Sequence, residues 1–367
     1  MIISRTPYRI SFFGGGTDYP AWFREHGGSV LAASIDKYCY LSCRYLPPFF
    51  DHRFRVVWSK NETVQCIDDI THPAVREVLK YMNIQRGLEI HHDGDLPARS
   101  GMGSSSSFMV GLLHVLHALH GTLKSKSDLA EEAIHIEQNI MQEVVGSQDQ
   151  VTAAHGGFNR IEFLKNGETV LTPLPVPKER LDALNDHILL VYTAVKRTAS
   201  NVAGSYAGQQ EVKRNSASLH TMKQMVDHAV KLLTSGAELH EFGELLHEAW
   251  LLKRSLSPLI SNPAVEEIYE TARAAGAIGG KVMGAGGGGF MMFFAPPESH
   301  EIIRERLGEL ICVPVRFEHS GSQIIFYDRE RDYLAEEEFR NGREIRPFQE
   351  WNPPPEHGTQ TSNTFRK

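Results

Sequence analysis

Residues 97–108 read Pro97-Ala-Arg-Ser-Gly101-Met-Gly103-Ser-Ser-Ser-Ser107-Phe108, and this stretch decides the fold. Two glycines precede four consecutive serines. An apolar run with helical spacing then begins: Phe108, Met109, Val110, Leu112, Leu113, Val115, Leu116 and Leu119. A loop of small residues entering a helix presents unpaired backbone N–H groups and the positive end of the helix dipole. That combination suits an anion, most often a phosphate. One serine would suffice to cap a helix; four after Gly-x-Gly ask for more. No Gly-x-x-x-x-Gly-Lys-Ser/Thr occurs, so this is not a Walker loop. With no lysine after Gly103, charge on a bound triphosphate has to be met by Mg²⁺ and by groups from elsewhere in the chain.

Working outward, Ile2–Phe13 reads as a strand ending at Gly14-Gly15-Gly16, with a short helix over 19–25. Segments 29–45, 53–59 and 88–92 alternate as strands do. A helix capped by Ser127 is expected to carry the stripe Leu129, Ala133, Ile136, Ile140, Val144. A short helical piece follows Gly146-Ser-Gln-Asp149-Gln150, then a hairpin over 158–172. Pro173, Pro175 and Pro177 mark a boundary. Beyond it, 188–193 and 290–295 read as strands, and 210–235, 238–255 and 263–275 as helices. The segment past about 345, with Pro353-Pro354-Pro355, is expected to be disordered or to pack as an arm.

The 367 residues allow two domains with their own cores. At 41% hydrophobic and 23% charged the composition is that of a globular protein, and a net charge of −7 gives no pull toward nucleic acid or anionic membrane. The N-terminal residues lack the apolar core of a signal peptide, so a cytoplasmic protein is expected. The four cysteines include no Cys-x-x-Cys and read as core thiols. His114, His117 and His120 recur on one helix without a His-Glu-x-x-His frame and read as a polar face, not a metal site.

A second glycine cluster, Gly284-Ala-Gly286-Gly-Gly-Gly289, matches Gly-x-Gly-x-x-Gly in form. A helix is expected before it and the strand Phe290–Ala295 after it, the reverse of the dinucleotide-binding order. Close packing beside a nucleotide fits better. Gly14-Gly15-Gly16 has Tyr19 where a third glycine belongs, and Asp18 would repel a pyrophosphate at the following helix. A carboxylate there suits hydroxyl groups. Asp149 could be a turn residue, Glu137 a member of a solvated acidic face, Arg9 a structural ion-pair partner, and Lys196-Arg197 or Lys281 either a phosphate ligand or a structural cation.

Taken together, Arg5-Thr-Pro-Tyr-Arg9, Gly14-Gly-Gly-Thr17-Asp18-Tyr19, Pro97-x-x-x-Gly101-Met-Gly103-Ser-Ser-Ser106 and the Gly284–Gly289 cluster resemble the three motifs of the GHMP small-molecule kinases, in order and in spacing, up to about residue 330. Within that family the GGGTD opening and the GSQDQ run resemble the heptose 7-phosphate kinases most. The resemblance implies an α/β (α+β) fold of two domains. Residues 1–175 would form a mixed-sheet ATP-binding domain and 176–345 a ferredoxin-like α/β domain, with the active site between them and 346–367 as a tail. It implies ATP and Mg²⁺, and the reaction of a sugar kinase. The preferred acceptor is the anomeric hydroxyl of D-glycero-D-manno-heptose 7-phosphate. A fucose-type kinase or a catalytically silent sugar or nucleotide sensor are the alternatives, and a monomer and a homodimer are equally open.

The family's roles carry over to particular residues. Asp149 and Arg9 would be catalytic. Pro97, Ser100, Gly101, Met102, Gly103, Ser104, Ser105 and Ser106 would hold ATP. Ser105 and Glu137 would hold Mg²⁺. Gly15, Gly16, Thr17, Asp18, Gly146, Arg197 and Gly286 would line the acceptor site. Galactokinases have Glu-His where this chain has Gly15-Gly16, which argues against galactose and leaves room for a larger sugar. Met102 stands where leucine is usual.

Overall fold

The computed structural model describes residues 1–195, 199–329, 331 and 333–340. The expectations for Lys196, Arg197 and the 346–367 tail lie outside the described residues. Among the described residues, twelve strands form two sheets. In the first, β1 (Ile2–Phe13) pairs antiparallel with β2 (Gly28–Tyr45), from Ile2 opposite Cys43 to Phe13 opposite Leu31. The sheet continues through β5 (Leu88–Gly94) to β3 (Phe54–Val57) and its hairpin partner β4 (Asn61–Val64). The β3–β5 pair is parallel, which makes the sheet mixed. β6 (Phe158–Phe163) and β7 (Thr169–Pro173) add a hairpin to the N-terminal half of β2.

The second sheet holds β8 (Ile188–Tyr192), β9 (Gly279–Val282), β10 (Phe290–Phe294) and β11 (Ile311–Val313), in the spatial order β11-β8-β10-β9 and antiparallel throughout. Helices lie between β8 and β9, and the helix His300–Leu307 lies between β10 and β11. This βαββαβ order with a 4-1-3-2 sheet is the ferredoxin-like arrangement. The chain then returns: β12 (Gln323–Tyr327) pairs with β1, so residues expected in the second domain complete the edge of the first sheet.

Two bulges in β1 prepare the site. Proline has no N–H to give the ladder, and the β1–β2 register slips between Pro7 and Arg9. A bulge re-aims the side chain that follows it, here Arg9. The register slips again between Ser11 and Phe13. The helix Ser104–Leu119 is buried almost all round and packs on β1 and β2. Gly111 permits that approach, because a Cβ there would stand 2.9 Å from the Thr6 hydroxyl.

Several local readings change. The helix after residue 124 is capped by Ser125, in a reciprocal box with Asp128, and not by Ser127. It runs Lys126–His135, then widens into a π-helical turn, Ile136–Ile140, and stops; Val144 lies exposed beyond it. β3 lies within the strand expected over 53–59, but its hairpin partner β4 and the helices Pro73–Tyr81, Lys178–Asp186 and Ala199–Ala207 go beyond the expectations. A strand, not a helix, immediately precedes the second glycine cluster. The cluster is therefore a turn between β9 and β10, and still no helix follows it to make a dinucleotide site. Among the described residues no helix is long and apolar enough to cross a membrane.

Candidate active site

The first glycine-serine loop leads from β5 into the helix Ser104–Leu119, whose N-cap, Gly103, has a left-handed backbone (φ +76°) that a residue with a Cβ adopts only at a cost. The first helical bond runs from the Ser107 N–H to the Gly103 carbonyl, 2.9 Å, so the amides of Ser104, Ser105 and Ser106 precede the helical ladder. The serines divide the work. Ser107 donates to the Pro7 carbonyl at 2.8 Å, tying the loop to β1. Ser105 and Ser106 face Glu137, with Oγ–Oε distances of 3.3 and 3.1 Å. Pro97 is exposed and Ser104 half-buried, whereas Met102 is fully buried and its carbonyl accepts from the Arg9 amide at 3.1 Å. An apolar core contact explains why methionine can replace leucine there.

Arg9 forms a two-pronged ion pair with Asp149: Nε to Oδ1 at 2.7 Å and Nη2 to Oδ2 at 2.6 Å. Its third prong, Nη1, donates to the Gly101 carbonyl at 2.7 Å. The fork geometry suits a carboxylate. Arg9 is 4% exposed at its side chain and Asp149 24%, so the guanidinium is sealed in while the carboxylate still meets solvent. A Cβ on Gly103 would lie 3.2 Å from Arg9 Cγ and 3.5 Å from Asp149 Oδ2. The loop and the ion pair are therefore in contact.

Glu137 occupies the π-helical turn, a distortion that often marks a functional position. It is buried, and it accepts from Gln150 Nε2 as well as from the serines. Burial raises its carboxyl to about 7; the Glu143 and Asp149 charges add to the rise, while the hydrogen bonds from Gln150 and Ser106 oppose it. A desolvated carboxylate beside two hydroxyls is a hard-oxygen donor set that fits Mg²⁺. Among the described residues no group of three or more His, Cys, Asp or Glu could hold a metal, so further ligands would have to be phosphate oxygens or water.

The elevated carboxyl has a thermodynamic consequence. Folded Glu137 binds its proton more tightly than unfolded glutamate, near 4.3, so its contribution to stability is full below pH 4 and is lost as pH rises through about 7. Glu137→Gln should therefore unfold at a higher temperature than the parent at pH 8 in the absence of nucleotide and divalent cations, with the gap closing toward pH 5. The gap is on the order of 3 kcal/mol at most. An equal gap at both pH values in thermal unfolding would contradict this.

The second glycine cluster closes on the first loop. The Phe290 amide donates to the Ser100 carbonyl at 2.9 Å, and the Thr193 hydroxyl to the Gly289 carbonyl at 2.8 Å. Ser100 is buried with its hydroxyl unpartnered. Gly286 is buried against Ile260, where a Cβ would come within 2.9 Å. From β9, Lys281 reaches the carbonyls at the second β1 bulge, Ser11 at 2.8 Å and Phe12 at 3.0 Å. Burial pushes its ammonium down to about 7, the Arg9 charge acts in the same direction, and Asp18 opposes both. Lys281 is thus a cation of the second sheet set among groups of the first.

The Gly14–Asp18 turn is adjacent. Thr17 is fully buried, its hydroxyl donating to the Gly14 and Ser29 carbonyls at 2.9 Å each. It shapes the turn. Gly15 and Gly16 lie beside it, and a Cβ on Gly15 would stand 3.4 Å from Ser11 Oγ and 3.5 Å from Gln148 Nε2. Asp18 is buried beneath Gly146. Gln148 and Gln150, which bind Asp18 and Glu137 respectively, escaped the reading of the sequence. Their one signal was their place on either side of Asp149. His114 pairs with Ser322 Oγ at 2.9 Å and His117 with Glu132 at 2.8 Å.

Residues 69–157 match the family described as GHMP kinases N terminal domain, and residues 231–310 match GHMP kinases C terminal. A D-glycero-alpha-D-manno-heptose 7-phosphate kinase from Campylobacter jejuni is 28% identical over 309 residues, covering 81% of this chain and 90% of that protein. The L-fucokinase/L-fucose-1-P guanylyltransferase of Bacteroides fragilis is 25% identical, over 84% of this chain but only 36% of that longer protein. A solved structure of a D-glycero-D-manno-heptose 1-phosphate kinase from Bacteroides thetaiotaomicron superposes with a TM-score of 0.73 at 23% identity, over 89% of this chain and 100% of that one, a likeness of fold.

Proposed function

This chain belongs to the GHMP kinases, and from that premise we propose that it transfers the γ-phosphate of ATP to a hydroxyl of a sugar phosphate, with a heptose 7-phosphate as acceptor and its anomeric hydroxyl as nucleophile. The observation that carries the reading is the Arg9–Asp149 fork lying against a glycine-serine helix entry. It puts a partly accessible carboxylate next to a loop built for phosphate.

Each residue has a task in this scheme. The amides of Ser104 to Ser106 and the helix dipole hold phosphate oxygens. Glu137 and the Ser105 hydroxyl would hold Mg²⁺, which when bound neutralises charge on the β- and γ-phosphates. Asp149 accepts, or orients, the proton of the acceptor hydroxyl as its oxygen bonds to the γ-phosphorus and the bond to the bridging oxygen breaks, releasing ADP. Arg9 fixes the carboxylate in place and contributes positive charge beside the transferring group. The acceptor would bind beside Gly15 and Gly16, which present no side chain toward it. Similarity to the heptose 7-phosphate kinase over most of both chains supports the choice of acceptor.

The test is ADP release with Mg-ATP against heptose 7-phosphate, free heptose, fucose and galactose. Turnover at least tenfold faster with heptose 7-phosphate than with the free sugars is expected. Preference for fucose would retain the kinase and replace the acceptor. Tight ATP binding without turnover on any sugar would favour a sensor.

A further inference from the structure

We propose that Gln150 is a positioning residue for the metal-binding carboxylate: its amide anchors Glu137 Oε2 and so leaves Glu137 Oε1, the oxygen facing Ser105, for the Mg²⁺ of Mg-ATP. The inference rests on the sugar-kinase reading and concerns the same site.

The two oxygens of Glu137 have unequal surroundings. Oε2 accepts from Gln150 Nε2 and from the Ser106 hydroxyl at 3.1 Å. Oε1 has the longer contacts, 3.3 Å from Ser105 Oγ and 3.5 Å from Ser106 Oγ. Hydroxyl bonds of that length are weak, so Oε1 keeps most of its capacity as an acceptor. Ser105 stands in the first turn of the helix Ser104–Leu119, among the amides proposed to hold phosphate. Oε1 and the Ser105 hydroxyl therefore form the pair of hard oxygens that a small divalent cation takes beside phosphate.

Gln150 is built into the fold for this contact. It lies in the first turn of the helix Gln148–His155, 13 positions after Glu137, and is fully buried. Its own Oε1 is buried with no hydrogen-bond partner among the described residues. An amide turned the other way would set oxygen against oxygen, so Glu137 dictates which end faces it. The unpartnered carbonyl is the cost of that orientation. The donor is also neutral. A lysine or arginine here would offset the negative charge that attracts a cation, whereas an amide holds the desolvated oxygen and leaves the charge in place. The preceding residue is Asp149, gripped by Arg9. One helical turn thus carries both the reacting carboxylate and the anchor of the metal carboxylate, which sets their separation.

Gln150→Met keeps the length of the side chain and removes the donor. Binding of Mn²⁺ to the full chain with a non-hydrolysable ATP analogue, followed by electron paramagnetic resonance, should weaken about 10- to 100-fold, the usual cost of losing a contact behind a metal ligand. In steady-state kinetics, with an acceptor that the parent turns over, the Mg²⁺ concentration giving half the maximal rate should rise by a similar factor. At saturating Mg²⁺, kcat should return to within about threefold of the parent. A smaller loss of Mn²⁺ affinity would overturn the proposal. So would a kcat that does not recover to that range, because Gln150 would then act on the chemical step. Should Gln150→Met fail to fold, Ser106→Ala removes the other donor to Oε2 and should weaken Mn²⁺ binding at least threefold; a lesser effect would equally overturn it. A parent that binds Mn²⁺ with the analogue but phosphorylates no sugar would defeat the kinase reading, and the Mn²⁺ contrast would still decide the role of Gln150. A parent that binds no Mn²⁺ with the analogue would overturn both.

Discussion

Asp149→Asn is expected to lower turnover by about 10³-fold while Mg-ATP binding stays within a few-fold of the parent. The proposed task of Asp149 needs a negative charge and a free lone pair directed at the acceptor hydroxyl. Removing a general base of this kind typically costs 10² to 10⁴ in rate. The amide keeps the shape but turns an NH₂ toward one of the two Arg9 prongs, which now reach Oδ1 at 2.7 Å and Oδ2 at 2.6 Å. Two donors then face each other, and the sealed Arg9 loses its counter-charge. Breaking a buried pair from one side costs about 3–5 kcal/mol; solvent access to Asp149 should bring the loss to the lower end, read as a reduced unfolding temperature. The glycine-serine loop proposed to hold phosphate keeps its other ties, from Ser107 to Pro7 and from Phe290 to Ser100, so nucleotide binding should survive. Steady-state kinetics and calorimetric titration of ATP check both halves. A kcat within tenfold of the parent would remove Asp149 from the chemistry.

Gly289→Ala should raise the ATP KM at least tenfold and destabilise the chain. The backbone at Gly289 has φ +85°, a region that costs an L-residue roughly 1–2 kcal/mol. The larger effect is steric. The new Cβ would stand 2.3 Å from the Ser100 carbonyl oxygen and 2.7 Å from its carbon. Those are main-chain atoms, held by the bond from the Phe290 amide, so relief has to come from moving the glycine-serine loop or the second sheet. Either displaces the amides of Ser104 to Ser106. Gly308→Ala is the control: φ is +63°, but no atom lies within 4 Å of the added carbon. It should show backbone strain alone, with ATP KM unchanged. Equal effects of the two substitutions on unfolding and on KM would refute the argument.

The comparison of these two glycines shows what could be read early and what could not. Gly-x-Gly followed by four serines was legible because its chemistry is local: small residues at a helix entry expose amides whatever surrounds them. The strand Ile2–Phe13, the hairpin over 158–172 and the apolar helix after Ser107 were legible for the same reason, since their periodicities lie in contiguous residues. The motifs in order also implied the two-sheet architecture. In contrast, nothing in residues 279–282 announces a strand. Two of the four are glycines, and their pairing with β10 comes from tertiary contact. Ser127 looked like a cap because it stands next to the apolar stripe, but the reciprocal bonds form at Ser125, two residues earlier.

The sequence by itself determined the fold family and named Arg9, Asp149, Glu137, Ser105 and the glycine-serine loop as candidates, because the motifs stand in an order and spacing that are properties of the chain, the resemblance adding Glu137. Only the tertiary structure decided what those residues do to one another. Arg9 and Asp149 are 140 positions apart, and a bulge after Pro7 is what turns the guanidinium to its partner. Glu137 became a desolvated carboxylate facing two serines through a π-helical turn that no periodicity reveals. Asp18 reaches across 130 positions to the Gln148 amide, with the Gly16 amide on its other carboxylate oxygen. The reason is general to this chain. Residue type and spacing set which interactions a side chain can make, while burial and the partner's position, both products of folding, select the one it does make.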